Sequence, residues 1–181
     1  MLFDGDDELF KHLAADCRIY VEYGCGSSTE WVYHNSRALI FSVDTSVDWS
    51  QRMQSQLDPQ RATIQHIDVG PVGDWGYPQS FSHRHAYRDY CEWPWHHAAG
   101  ADLVLVDGRF RIACFLTVLK MARPGTVVLF DDYANRPFYH VVEQWCRPRD
   151  RCGRQALFEV SQQHRFTVRD QDITEFINVV G

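Results

Sequence analysis

Between Arg18 and Val160 the chain repeatedly places a short apolar, β-branched run before a polar or glycine-containing break and then shifts to helical spacing. Five such runs stand out: Arg18–Tyr23, Ala38–Val43, Ala62–Ile67, Asp102–Val106 and Thr126–Phe130. The first ends in a glycine loop, and the other four end on acids: Asp44, Asp68, Asp107 and Asp131. Strands that are apolar on both faces and separated by helices describe a parallel sheet covered on both sides. Right-handed crossovers make such a sheet doubly wound, with its ligand crevice beyond the carboxyl ends of the strands. The acids therefore fall where a ligand is expected.

The intervening segments read as helices over Asp6–Ala15, Ser28–Asn35 (with Ser27 or Ser28 as N-cap), Val47–Leu57, Phe110–Met121 and Phe138–Cys146. Ala156–Val160 reads as a sixth strand, and Ile173–Val180 fits strand or helix equally. No linker, repeat or low-complexity tract interrupts the pattern. The expectation is a Rossmann-like, doubly wound, mostly parallel α/β sheet with helices on both faces, in one domain over residues 1–181.

Composition narrows the class of partner. The formal net charge is −6, and the densest basic stretch, Arg147–Arg154, is short and broken by Pro148, so it reads as a solvated loop. No nucleic-acid partner is expected. The longest apolar runs are too short to span a bilayer, and the acidic start Met1–Glu8 lacks the basic and apolar parts of a signal peptide, so no membrane partner is expected. Six cysteines without a C-x-x-C pair read as free thiols, consistent with a cytoplasmic location.

The first strand runs into Glu22-Tyr23-Gly24-Cys25-Gly26-Ser27-Ser28-Thr29. Its glycines let the backbone turn and approach a ligand, and the next helix offers unpaired N–H groups. A dinucleotide fingerprint wants a third glycine at Thr29, and a phosphate-binding Walker loop wants a lysine; both patterns fail. Asp44 stands where a carboxylate accepts a ribose diol. Each acid by itself reads more readily as a helix cap or a solvated residue; their common register on consecutive strands is what favours a cofactor crevice.

Asp107-Gly108-Arg109-Phe110-Arg111 comes after the fourth strand, and Asp131-Asp132-Tyr133 after the fifth. The acids there read as helix caps, as a general base, or as ligands of a hard divalent ion such as Mg²⁺. Arg109 and Arg111 are candidates for holding an anion, with Arg109 the one expected to face the pocket and a surface salt bridge the alternative. Gly70–Gly100 is too long for a structureless loop. It should hold a crossover helix near Arg84–Cys91, and its aromatic residues either form a lid or pack on the sheet. His83, His85, His96 and His97 lack the spacing of a zinc site.

The segments Tyr23–Thr29, Gly70-Pro71-Val72-Gly73-Asp74-Trp75-Gly76-Tyr77-Pro78, Val106–Arg111 and Leu129–Tyr133 resemble small bacterial proteins of the class I S-adenosylmethionine-dependent methyltransferase-like family. The acids after strands four and five look distantly like the catechol O-methyltransferase branch. The resemblance implies S-adenosylmethionine as cofactor, with Glu22, Gly24, Cys25, Gly26, Ser27, Asp44 and Asp68 forming its site. It implies Asp107, Asp131 and Arg109 as catalytic residues, and Asp107, Asp131 and Asp132 as holders of a divalent metal such as Mg²⁺. The family departs from this chain at Ser28, where many members carry a third glycine. The implied activity is O- or N-methylation of a small-molecule acceptor; a non-catalytic S-adenosylmethionine or S-adenosylhomocysteine binder is the alternative, and a homodimer is a candidate assembly.

Overall fold

The structure, a computed structural model, describes residues 2–3 and 6–179. Met1, Asp4 and Gly5 of the acidic start, and Val180 of the last segment, lie outside the described residues. One seven-stranded sheet organises the chain in the order β3-β2-β1-β4-β5-β7-β6. Strands β1 (Ile19–Tyr23), β2 (Leu39–Asp44), β3 (Ala62–His66), β4 (Leu103–Val106) and β5 (Val127–Phe130) are mutually parallel. Two antiparallel strands, β6 (Asp150–Cys152) and β7 (Gln155–Glu159), close the far edge against β5. The order reverses at β1, flanked by β2 on one side and β4 on the other, so the crevice of a doubly wound sheet opens above these three strands.

Period-two alternation explains the two-sided core. In β4, Val104 and Val106 enter one apolar cluster with Val21, Tyr23, Val128 and Phe130, while Leu103 and Leu105 enter another with Tyr20, Ile40 and Leu129. Helices α1 (Glu8–Ala15), α2 (Ser27–Asn35) and α3 (Val47–Gln56) cover the second face. On the first face lie α4 (Tyr87–Glu92), α5 (Arg111–Met121), α6 (His164–Thr167) and α7 (Asp170–Phe176). Helix α5 is buried from Arg111 through Leu119 because it lies between the sheet and α7.

Several expectations are corrected. Helix α2 starts behind Gly26 rather than a serine cap; the Thr29 hydroxyl accepts from the Gly26 N–H at 2.9 Å. Helix α5 begins at Arg111, so Asp107 does not cap it: Phe110 holds the N-cap position in left-handed backbone. Asp131 and Asp132 cap no helix either, because the next helical segment is a 3₁₀ helix over Pro137–Gln144, where an α-helix over Phe138–Cys146 was expected. The basic stretch Arg147–Arg154 is mostly exposed, as expected, but it carries strand β6 and the turn of a hairpin and is not loop throughout. The C-terminal alternative resolves as helix α7. The Gly70–Gly100 crossover carries α4 within a 3₁₀–α–3₁₀ run from Arg84 to His96.

Among the described residues no helix is long and apolar enough to cross a membrane. All six cysteines are free; Cys17, Cys25, Cys91 and Cys114 are buried.

Candidate active site

A cleft of about 990 Å³ lies over the carboxyl ends of β1, β2 and β4. Gly24, Cys25, Gly26, Ser27 and Ser28 form one wall, Asp44, Thr45, Ser46 and Trp49 the second, and Asp107, Gly108 and Arg109 the third. Gly73–Tyr77 overhangs it, and Asp132, Asn135, Arg136 and Arg154 close the far end.

The first wall depends on glycine. Gly24 has φ +89°, and a Cβ there would stand 2.8 Å from the Cα of Gly108, so the β1 and β4 loops touch main chain to main chain. A Cβ on Gly26 would meet no protein atom within 4 Å; its space is open cleft. The loop is fixed by Asp44, whose carboxylate accepts from the N–H of Cys25 (3.0 Å) and of Ser46 (2.8 Å). The indole N–H of Trp49 donates to the Cys25 carbonyl. Asp44 thus ties the glycine loop to the start of α3 while still lining the cleft. Burial pushes its carboxyl up, and the hydrogen bonds from the Ser46 and Cys25 amides oppose that.

Glu22 lies elsewhere than expected. It is fully buried beneath the loop, and the hydroxyls of Ser28 and Thr29 donate to its two oxygens. Burial pushes its carboxyl up to about 7, against the hydroxyl hydrogen bonds that favour the ionised form. Glu22 therefore braces the α2 N-terminus from below, and Ser28 is the residue of that group that reaches the cleft. Asp68 is not brought to the cleft. Strand β3 ends at His66, two residues short of it, and the exposed Asp68 carboxylate accepts from the Gly70 N–H (2.9 Å) and pairs with His83 (3.1 Å).

Asp107, Asp131 and Asp132 do meet, with carboxylate oxygens within 4.8 Å of one another. Oxygen donors suit a hard cation. These three, however, meet around arginine. Arg111 bridges Asp107 (2.9 Å) and Asp132 (3.2 Å), Arg154 pairs with Asp131 (2.6 Å) and Asp132 (3.5 Å), and Arg136 reaches Asp132 at 3.1 Å. The guanidiniums already supply the positive charge that a metal would bring. The donor set as arranged does not fit a resident Mg²⁺, and Asp131, fully buried, does not line the cleft. Asp107 does. Burial and the neighbouring Asp131 hold its carboxyl well above the usual range, although Arg111 opposes this. No grouping of three potential metal ligands among the described residues includes a histidine.

Arg111 is a structural clamp, donating also to the carbonyls of Gly108, Asp107 and Asp131. Arg109 is not the surface salt bridge of the alternative: it is 7% exposed and faces the cleft, with its guanidinium 4.5 Å from the Tyr77 ring centre. The aromatic segment divides between both expected roles. Tyr87, Tyr90 and Trp95 pack on the sheet, while Trp75 and Tyr77 overhang the cleft. Among the described residues, the three non-glycine positions with left-handed φ are Trp75, Phe110 and Asp132. Trp75 and Asp132 line the cleft and Phe110 is next to Arg109, so unfavourable backbone is concentrated at the site. Thr45, Ser46, Trp49, Asn135, Arg136 and Arg154 were not legible as site residues. Only the closeness of Thr45 and Ser46 to Asp44 in the chain hinted at them.

The sheet order β3-β2-β1-β4-β5-β7-β6, with β7 antiparallel beside β5, and the glycine loop after β1 and acid after β2 that face one cleft match the Rossmann-like fold of methyltransferases. No family model and no curated protein matches the chain. Among solved structures it is 31% identical to a methyltransferase-like protein from Silicibacter pomeroyi DSS-3, over 94% of this chain and 90% of that one, with a TM-score of 0.82. The chain belongs to this methyltransferase-like family. Magnesium protoporphyrin IX methyltransferase from Synechocystis PCC 6803, solved with bound S-adenosylmethionine, is 12% identical over 86% of this chain and 77% of its own, with a TM-score of 0.50; it shares the fold.

Proposed function

We propose that the chain is an S-adenosylmethionine-dependent methyltransferase acting on the oxygen or nitrogen of a small molecule. One observation carries this reading: the open space over Gly26, the α2 N-terminus and the Asp44 carboxylate face a single cleft. When bound, the cofactor would supply an electrophilic methyl group. Gly24 and Gly26 would admit its amino-acid end without a Cβ in the way, and the N–H groups at the start of α2 would donate to its carboxylate. Asp44 would take the ribose hydroxyls.

The remainder is alignment and proton management. Asp107, which lines the cleft at the end of β4, would accept the proton lost by the acceptor. The Gly73–Tyr77 overhang would exclude water. Cleft shape and the net charge of −6 favour a small acceptor over nucleic acid. A donor-binding protein without catalysis is the second reading, favoured by the arginine pairing of Asp131 and Asp132, which occupies acids that a catalyst could use.

Thermal unfolding with S-adenosylhomocysteine, NAD and ATP, each with and without Mg²⁺, tests the donor reading. S-adenosylhomocysteine should stabilise the chain and the other two should not; stabilisation by NAD alone would overturn it.

A further inference from the structure

Resting on that donor reading, we propose that the acceptor is a carboxylic acid and that Arg109 receives its carboxylate.

Every other arginine on the cleft has a carboxylate partner: Arg111 has Asp107 and Asp132, Arg136 has Asp132, and Arg154 has Asp131. Arg109 is buried, whereas Arg136 is exposed and Arg154 half-buried. Yet among the described residues no carboxylate lies within ion-pair distance of it, and its guanidinium makes no hydrogen bond. Its Nε is buried without a partner. A desolvated cation with unused donors is costly unless something compensates it, and the compensation here must come from what enters the cleft. A guanidinium presents a planar fork that matches a carboxylate with two parallel N–H···O bonds.

The surroundings hold that fork in place. Its own main-chain N–H donates to the Tyr90 hydroxyl at 3.3 Å. Tyr77, beneath the guanidinium, is fixed by a hydrogen bond from the Gly73 N–H to its carbonyl (2.8 Å). The neighbouring Gly76 carbonyl accepts from the Thr45 hydroxyl at 2.8 Å. Stacking on Tyr77 orients the guanidinium and leaves its edge donors unspent. The donor's own carboxylate has a separate place at the N–H groups of α2, so Arg109 is left for the acceptor.

The test is calorimetric titration of the full chain, first with S-adenosylhomocysteine and then, in its presence, with 4-hydroxybenzoate and 4-hydroxybenzamide. The wild type should bind the acid at least about 10-fold more tightly than the amide. Arg109→Gln should erase that preference while keeping its affinity for S-adenosylhomocysteine within about 3-fold, which also reports correct folding. Arg109→Lys, which keeps the charge and loses the fork, should fall between them. Equal binding of acid and amide, or no binding of either, would overturn the proposal and leave the donor reading intact. Loss of S-adenosylhomocysteine binding in Arg109→Gln would overturn it too, by assigning the guanidinium to the donor's carboxylate. Failure of the wild type to bind S-adenosylhomocysteine would overturn the donor reading itself, and this proposal with it.

Discussion

Gly24 and Gly108 approach so closely that a Cβ on the first would stand 2.8 Å from the Cα of the second. The contact joins the loops after β1 and β4, two of the three strands over which the cleft opens. Gly24→Ala must therefore push the loops apart and also strain a φ of +89°. A cost of about 3 kcal/mol is expected, or a fall in Tm of roughly 10 °C. Gly26→Ala, at extended φ with open space around it, should change stability by less than about 1 kcal/mol. Thermal unfolding of the two variants checks the contrast; equal losses would contradict it.

Glu22 predicts a pH dependence. Its folded carboxyl sits at about 7, above the ordinary 4.5, so the folded state holds a proton that the unfolded state releases. The stability this provides is complete below about pH 4.5 and is lost as pH rises through about 7. Glu22→Gln mimics the protonated form and should remove that loss. The variant should gain on the wild type across this window, by up to about 3 kcal/mol at the alkaline end. A stability difference independent of pH would show that Glu22 is already ionised when folded.

Arg154 pairs with a fully buried Asp131. Arg154→Met strands that carboxylate and should cost about 3–5 kcal/mol. Asp131→Asn in the same chain should recover part of the loss, because the stranded charge is gone. Chemical denaturation of the single and double variants gives the coupling; strictly additive effects would mean the pair is not energetically linked.

The arginine pairing of Asp107, Asp131 and Asp132 also predicts indifference to divalent ions. Mg²⁺ at about 100 times an ordinary dissociation constant would add roughly 2.7 kcal/mol to a chain that binds it. Neither Mg²⁺ nor its removal by chelator should move Tm. A saturable rise with Mg²⁺ would show that the arginines give way.

The parallel half of the sheet was readable because buried parallel strands are apolar on both faces, as in Leu103–Val106, and need no knowledge of their neighbours. The edge was not. Strand β6 is Asp-Arg-Cys, polar and short, and among the described residues β7 is its one strand partner. Arg154 is illegible for the same reason: it reaches Asp131 through a hairpin that local sequence does not announce. Asp68 failed for the opposite reason. Its place after an apolar run looked equivalent to Asp44, but β3 stops at His66 and the chain turns outward before the acid arrives. The strand and loop of Glu22 are legible in the sequence; which side of the loop its carboxylate faces depends on the Ser28 and Thr29 hydroxyls that claim it. Strand-end acids thus mark a rim, while side-chain direction decides which of them a ligand meets.

A crystal structure of the chain soaked with S-adenosylhomocysteine tests the donor site most directly. It should place the ribose hydroxyls within hydrogen-bond distance of the Asp44 carboxylate, with the amino-acid end over Gly24–Ser28 and Asp68 remote from the ligand. Ligand bound away from the glycine loop, or a ribose with no contact to Asp44, would contradict the assignment of this cleft to the methyl donor.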